Sequence, residues 1–210
     1  MLPKRLSLSL LLTAGMAGAM AMPCRGKTQT LEQALASLTV ATRTAPPQAP
    51  VPLHPGELVA NLQQQGLSVL VLERTNRRLQ ATGDPIWDLR IEIPGQPIQH
   101  FEALSGRANR QSANRDQMGS RAPLPSGHYK LGPVEPLAAG AYPELGPIWI
   151  GIEPTFRTGR RVLGIHQDPS AGRNANSGTL GCIGLIRRND LLELASQVRK
   201  ANIQELVVTN

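Results

Sequence analysis

Ile86-Trp87-Asp88-Leu89-Arg90-Ile91-Glu92-Ile93 alternates apolar and polar side chains and then meets Pro94-Gly95. A period of two puts every second side chain on one face, the pattern of a half-buried strand. Pro-Gly reverses the chain, because proline presets φ and glycine accepts the positive φ of a tight turn. Ile98 to Leu104 returns as the partner strand. The stretch is a hairpin, and it commits the domain to β structure.

The same reading extends outward. Leu67 to Glu73 is rich in Leu and Val and reads as a buried strand. His128 to Leu131 and Ile148 to Ile152 are short strands, Arg161 to His166 is a strand ending on His166, and Glu205 to Thr209 closes the chain. Between them, Arg107 to Arg121 is polar and rich in Asn, Gln, Ser and Arg. A loop of that length invites a lid or binding role, and its composition also fits disorder. One helix stands out. In Asp190 to Ala201, Leu191, Leu192, Leu194, Ala195 and Val198 recur at helical spacing, with Asn189 placed to cap. Glu57 to Gln65 reads as a short helix ended by Gly66.

Composition agrees. The chain of 210 residues is 40% hydrophobic but only 3% aromatic, so aliphatic side chains must build the core. Twenty glycines and 18 prolines favour a turn-rich, strand-rich fold over a helical bundle. The formal charge of +7 comes from scattered basic residues, without a nucleic-acid-binding motif. A solvated basic surface is expected, and no nucleic-acid partner. Such a surface suits an anionic cell-envelope polymer, although charge alone does not show one.

The N-terminus reads as an export signal. Lys4 and Arg5 precede the apolar run that begins at Leu6, and Ala19-Met20-Ala21 offers an A-x-A cleavage site. Cleavage after Ala21 leaves 20 basic against 15 acidic residues, a charge of +5. The expected location is the periplasm or cell wall. An uncleaved anchor with transient membrane association is the alternative. Cys24 suggests a lipoprotein, but Pro23 directly before it makes a poor lipobox. The expected organisation is a signal peptide over 1–21, a leader and linker over 22–55, and a folded domain over 56–210. The leader holds a capping-box helix from Leu31 to Arg43 and a linker from Ala45 to Pro55 with five prolines.

Chemistry concentrates in Ser177-Gly178-Thr179-Leu180-Gly181-Cys182-Ile183-Gly184-Leu185. Sixteen positions upstream stands His166, in Gly164-Ile165-His166-Gln167-Asp168. A thiol becomes a nucleophile where a base or positive charge favours its thiolate, so the two residues form a candidate Cys–His pair. The plain alternative is a small buried cysteine and a structural histidine. A disulfide between Cys24 and Cys182 is not expected, since it would block the sulfur whose surroundings look reactive. His128 reads as solvent-facing, His54 and His100 as lacking partner motifs, and Asp168 as a turn residue with Pro169. No cluster has metal-ligand spacing, so neither metal nor cofactor is expected.

The pieces fall into an order. Ser105-Gly106 ends a strand, Pro123-Leu124-Pro125-Ser126-Gly127-His128-Tyr129-Lys130-Leu131 follows the polar loop, then come Gly164-Ile165-His166 and the Cys182 turn. This order resembles the YkuD-type L,D-transpeptidase catalytic domain, over roughly Leu67 to Thr209. The resemblance implies a mainly β sandwich with one helix after the Cys turn. It also implies peptidoglycan transpeptidation through a thioester, with stem peptides as partners. Cys182 would be the nucleophile and His166 the base. Thr179 and Gly181 would shape the turn, and the Gly181 and Cys182 N–H groups would form an oxyanion hole. Ser177 is a candidate substrate contact. Leu180 stands where many members have His, and Gly184 where many have Arg or Asn. Arg187 or Arg188 would then supply the missing cation, unless both are solvated residues before a helix. A sortase-like transpeptidase, an L,D-carboxypeptidase and a non-catalytic peptidoglycan-binding module on the same fold are the competing readings.

Overall fold

The computed structural model describes residues 53–209. The expected signal peptide, the Leu31–Arg43 helix, most of the linker and Cys24 lie outside the described residues. The order is α1 (Pro55–Gln64), β1 (Val69–Arg78), β2 (Pro85–Glu92), β3 (Gln99–Ser105), a 3₁₀ turn (Ala108–Arg110) and β4 (Gly127–Pro136). Then come β5 (Ile148–Pro154), β6 (Leu163–Gln167), β7 (Ile183–Leu185), α2 (Arg188–Lys200) and β8 (Glu205–Val208).

The fold is mainly β, as expected, but it is one closed barrel rather than two packed sheets. Strands run in the order β1-β2-β3-β7-β6-β5-β4-β8. The last strand makes the difference. β8 pairs parallel with β1 and antiparallel with β4, so it joins the two ends of an otherwise open sheet. Closure removes the unpaired edges that a sandwich would leave.

β1 shows why an unbroken apolar run belongs here. Leu70 and Leu72 face the main core, while Val69 and Val71 face a second cluster with Val207 and Leu62 of α1. The strand is buried on both sides, so it has no polar face to alternate with. His54 caps α1: its Nδ1 accepts from the Gly56 N–H at 3.4 Å, and Glu57 answers from N3. Leu191, Leu194, Ala195 and Val198 of α2 pack into the main core beside Leu163, Ile165 and Leu185. The helix starts two residues earlier than expected, so Asn189 lies inside it. Arg187 takes the N-cap position, and its Nε donates to Asp190 at 2.9 Å.

One strand escaped the sequence reading, and another was read too short. β7 is three residues long, too short to show a period. β4 continues five residues past Leu131 because a register shift between Leu131 and Val134 absorbs Gly132 and Pro133. His128 does not face water. It is half-buried, with Nε2 2.5 Å from Glu205, whose other oxygen holds Lys130. His100 meets Asp88 at 3.0 Å.

Candidate active site

β6 and β7 are parallel neighbours, with Ile165 opposite Ile183 and His166 opposite Gly184. Cys182 immediately precedes β7, so the barrel brings it to the strand that carries His166. The two residues share this seam without a hydrogen bond between them. The Cys182 sulfur lies against the start of β6, 3.9 Å from the Val162 carbonyl oxygen. Cys182 is a free, half-buried thiol.

His166 is built as a neutral base. It is buried, and its Nδ1 lies 2.6 Å from the Gln167 carbonyl oxygen. A carbonyl only accepts, so Nδ1 carries the proton and Nε2 keeps its lone pair. The Trp149 ring stacks on the imidazole at 5.9 Å between centroids and 17° between planes. Burial pushes the imidazole pKa below its ordinary value, while the Gln167 carbonyl and Asp168 pull the other way. Gly164 makes room for this stack: a Cβ there would run into the Trp149 ring.

The surroundings of the resting thiol favour its protonated form. Burial pushes the Cys182 pKa up, opposed by the Gly164 N–H and then by Arg160. The resting pair is a neutral thiol and a neutral imidazole, not a thiolate–imidazolium pair. Any nucleophilic role must generate the thiolate during attack.

Thr179 knots the turn, the role that the resemblance implied for it. Its hydroxyl oxygen accepts from the Gly106 N–H at 3.0 Å and the Gly181 N–H at 3.1 Å. The same hydroxyl donates to the Cys182 carbonyl at 2.8 Å. The Gly181 N–H is therefore engaged within the turn, which leaves the Cys182 N–H as the remaining oxyanion-hole candidate. Asp168 plays the expected turn role. One oxygen accepts from the Ser170 N–H at 2.9 Å, and the other from the Gly178 N–H at 2.8 Å.

Ser177, Arg187 and Arg188 are not at the thiol. The Ser177 hydroxyl accepts from the Gly172 N–H at 2.9 Å and holds the preceding loop. Arg187 and Arg188 are exposed at the opposite end of β7 from Cys182. The cation near the sulfur is Arg160, which the sequence reading missed. Its side chain is buried, with Nη2 donating to the Leu180 carbonyl at 2.7 Å. Nη1 donates to the Arg115 carbonyl and the Ser120 hydroxyl, each at 3.2 Å. One guanidinium thus ties the Cys turn to the 107–121 loop, which is ordered and closed by the Arg107 N–H on the Arg121 carbonyl at 3.0 Å. No local pattern marks Arg160, because its partners are distant in sequence.

Gly184 and Leu180 sit in contrasting surroundings. A Cβ on Gly184 would fall 2.8 Å from Thr179 Cγ2 and 3.0 Å from Asp168 Cβ, so no arginine fits there. Leu180 is exposed and puts no constraint on the turn. Val162, whose carbonyl meets the thiol, has φ +55° and is 86% exposed. A β-branched residue rarely adopts that conformation, and such strain gathers at functional sites. Among the described residues, no group of three or more His, Cys, Asp and Glu is placed to hold a metal ion.

No family model matches the chain, and no curated protein matches it. Among solved structures, that of Bd1075 from Bdellovibrio bacteriovorus is similar, with a TM-score of 0.41 and 16% sequence identity. The match covers 68% of this chain and 47% of that one.

Proposed function

We propose that this chain is an exported peptidoglycan L,D-transpeptidase of the YkuD type, working through a Cys182 thioester. The observation that carries the reading is the state of His166. A buried imidazole, protonated at Nδ1 by its bond to the Gln167 carbonyl, stands on the strand beside the one that Cys182 opens. A general base needs that state: neutral at working pH, fixed in tautomer, with Nε2 available.

The chemistry balances without a cofactor. Nε2 takes the thiol proton as the sulfur attacks the carbonyl carbon before the terminal D-Ala of a tetrapeptide stem. The Cys182 N–H, the turn donor not taken up by Thr179, would receive the developing oxyanion. The C–N bond breaks, the leaving amine takes the proton from His166, and the acyl group stays on sulfur. An acceptor amine then displaces the thiol and gives a cross-link. Water in its place gives L,D-carboxypeptidase hydrolysis. The peptide-bond energy is conserved in the thioester, so the reaction suits a compartment without ATP.

One observation favours a second reading, a peptidoglycan-binding module without turnover: burial holds the thiol pKa up. A single experiment separates them. Purified protein is incubated with a peptidoglycan tetrapeptide and analysed by intact mass spectrometry. A covalent adduct on Cys182 with release of D-Ala, both absent from Cys182→Ala, supports the transpeptidase. Binding without adduct or D-Ala release, across several acceptor amines, supports the module.

A further inference from the structure

A second site lies on the Ser177 side of the Cys turn, away from the sulfur. A cavity of about 440 Å³ opens there between the β1–β2 hairpin loop, the start of the 107–121 loop and the 173–177 segment. At its base stands Asp84, only 2% exposed. The Asp84 Oδ1 is buried and has no hydrogen-bond partner, and no cation lies within ion-pair distance among the described residues. A buried carboxylate oxygen without a partner is costly, because it has given up its hydrogen bonds to water and gained none from the protein. A chain that keeps such a group normally has a use for it.

The opposite charge lines the same cavity. Arg107 is held by its Nη1, which donates to the Ser177 carbonyl at 2.7 Å. Its other two nitrogens remain able to donate. Arg173 stands exposed on the rim, and Asn109 and Asn174 add neutral polar groups. An isolated anion would be repelled by Asp84, and a simple amine by the two arginines. A ligand bearing both charges a few ångströms apart satisfies all three.

We propose that this cavity binds an α-amino-acid head group, with its ammonium directed to Asp84 and its carboxylate to Arg107 and Arg173. The cavity falls within the size range of ligand pockets, so a polar side chain several atoms long fits behind the head group. Gly178 packs directly against Asp84. Its φ is +87°, and a Cβ there would lie 3.0 Å from Asp84 Oδ1 and closer still to the Gly106 carbonyl oxygen. Ser177 lines the cavity and belongs to the turn that ends in Cys182, so the site adjoins the turn that holds the thiol. The inference does not rest on the thioester reading.

The test is an NMR titration of the purified protein with D- and L-lysine. Two half-ligands serve as controls: 6-aminohexanoate, which lacks the α-ammonium, and 1,5-diaminopentane, which lacks the carboxylate. Saturable shifts of the amides around Thr82, Asp84, Asn109 and Asn174 are expected with lysine. Binding of either control should be at least about tenfold weaker, and Asp84→Asn should weaken lysine by a similar factor. Cys182→Ala should bind lysine unchanged, which keeps this result apart from the fate of the thioester reading. If Asp84→Asn does not fold, Arg173→Gln on the exposed rim carries the test, with a severalfold loss expected. Absence of saturation at tens of millimolar, controls that bind as tightly as lysine, or variants with unaltered affinity overturn the proposal.

Discussion

The Arg160 guanidinium occupies the place where a side chain at residue 181 would stand. Gly181, at φ +116°, is therefore glycine for two independent reasons: its backbone conformation and the space taken by a buried cation. Gly181→Ala should destabilise the protein by roughly 2–5 kcal/mol, combining backbone strain with overpacking. Chemical denaturation measures this. A loss below about 1 kcal/mol would mean that the guanidinium moves aside easily and does not shape the turn.

Arg160→Met keeps the length of the side chain and removes its donors. The Leu180 and Arg115 carbonyls and the Ser120 hydroxyl lose their bonds. The three bonds are only part-buried, so each loss falls near the ~1 kcal/mol of an ordinary hydrogen bond, and a total near 2–4 kcal/mol is expected. The 107–121 loop should also loosen. Faster amide exchange in that loop and at Leu180–Cys182, with the rest of the barrel unchanged, is the signature to look for.

The thiol of Cys182 should titrate above the usual cysteine value of about 8.5, because burial outweighs the help of the Gly164 N–H and Arg160. Alkylation rate against pH, in a Cys24→Ser background, reads this directly. An inflection below pH 8 would show a preformed thiolate and sink the neutral-pair description. In Arg160→Met the inflection should move higher still, since the one opposing charge is gone.

His166 carries a pH signature of its own. Its folded-state pKa lies below the unfolded value of about 6.5. Above pH 6.5 both states are neutral and the full stability is present. As pH falls through 6.5 the unfolded chain binds the proton first, so stability drops until the folded pKa is reached. Comparing unfolding free energies at pH 7.5 and pH 5.5 for the wild type and His166→Asn isolates the effect. The wild type should lose more than the variant; equal losses contradict the assignment.

If His166 is the general base, His166→Ala should lower acyl transfer to a tetrapeptide by about 10²–10⁴. His100→Ala and His128→Ala should each leave turnover within a few-fold. The acid limb of the wild-type pH–rate profile should lie below pH 6.5, following the depressed imidazole. A comparable loss from His128→Ala would transfer the role to the residue beside Glu205.

Local sequence carried much of the β framework. The alternation over Ile86–Ile93, the Pro94-Gly95 reversal and the apolar run before Glu73 depend on side-chain period and turn chemistry, which act between near neighbours. The α2 stripe of Leu191, Leu194, Ala195 and Val198 was legible for the same reason. So was Asp168 as a turn residue, whose side-chain partners lie within ten positions; the turn role of Thr179 came from the resemblance rather than from local pattern. Long-range pairing decided the rest. Nothing local in Glu205–Val208 says that it lies between β1 and β4, and that single insertion turns a sheet with edges into a closed barrel. The three residues of β7 acquire their identity only from β3 and β6 on either side. The sequence named Cys182 and His166 as chemical types, but only the parallel β6–β7 register sets them on adjoining strands. Only burial decides that the thiol rests protonated. Arg160, Val162 and Asp84 carry no motif at all, because their significance comes from what the folded chain places against them or leaves unpaired.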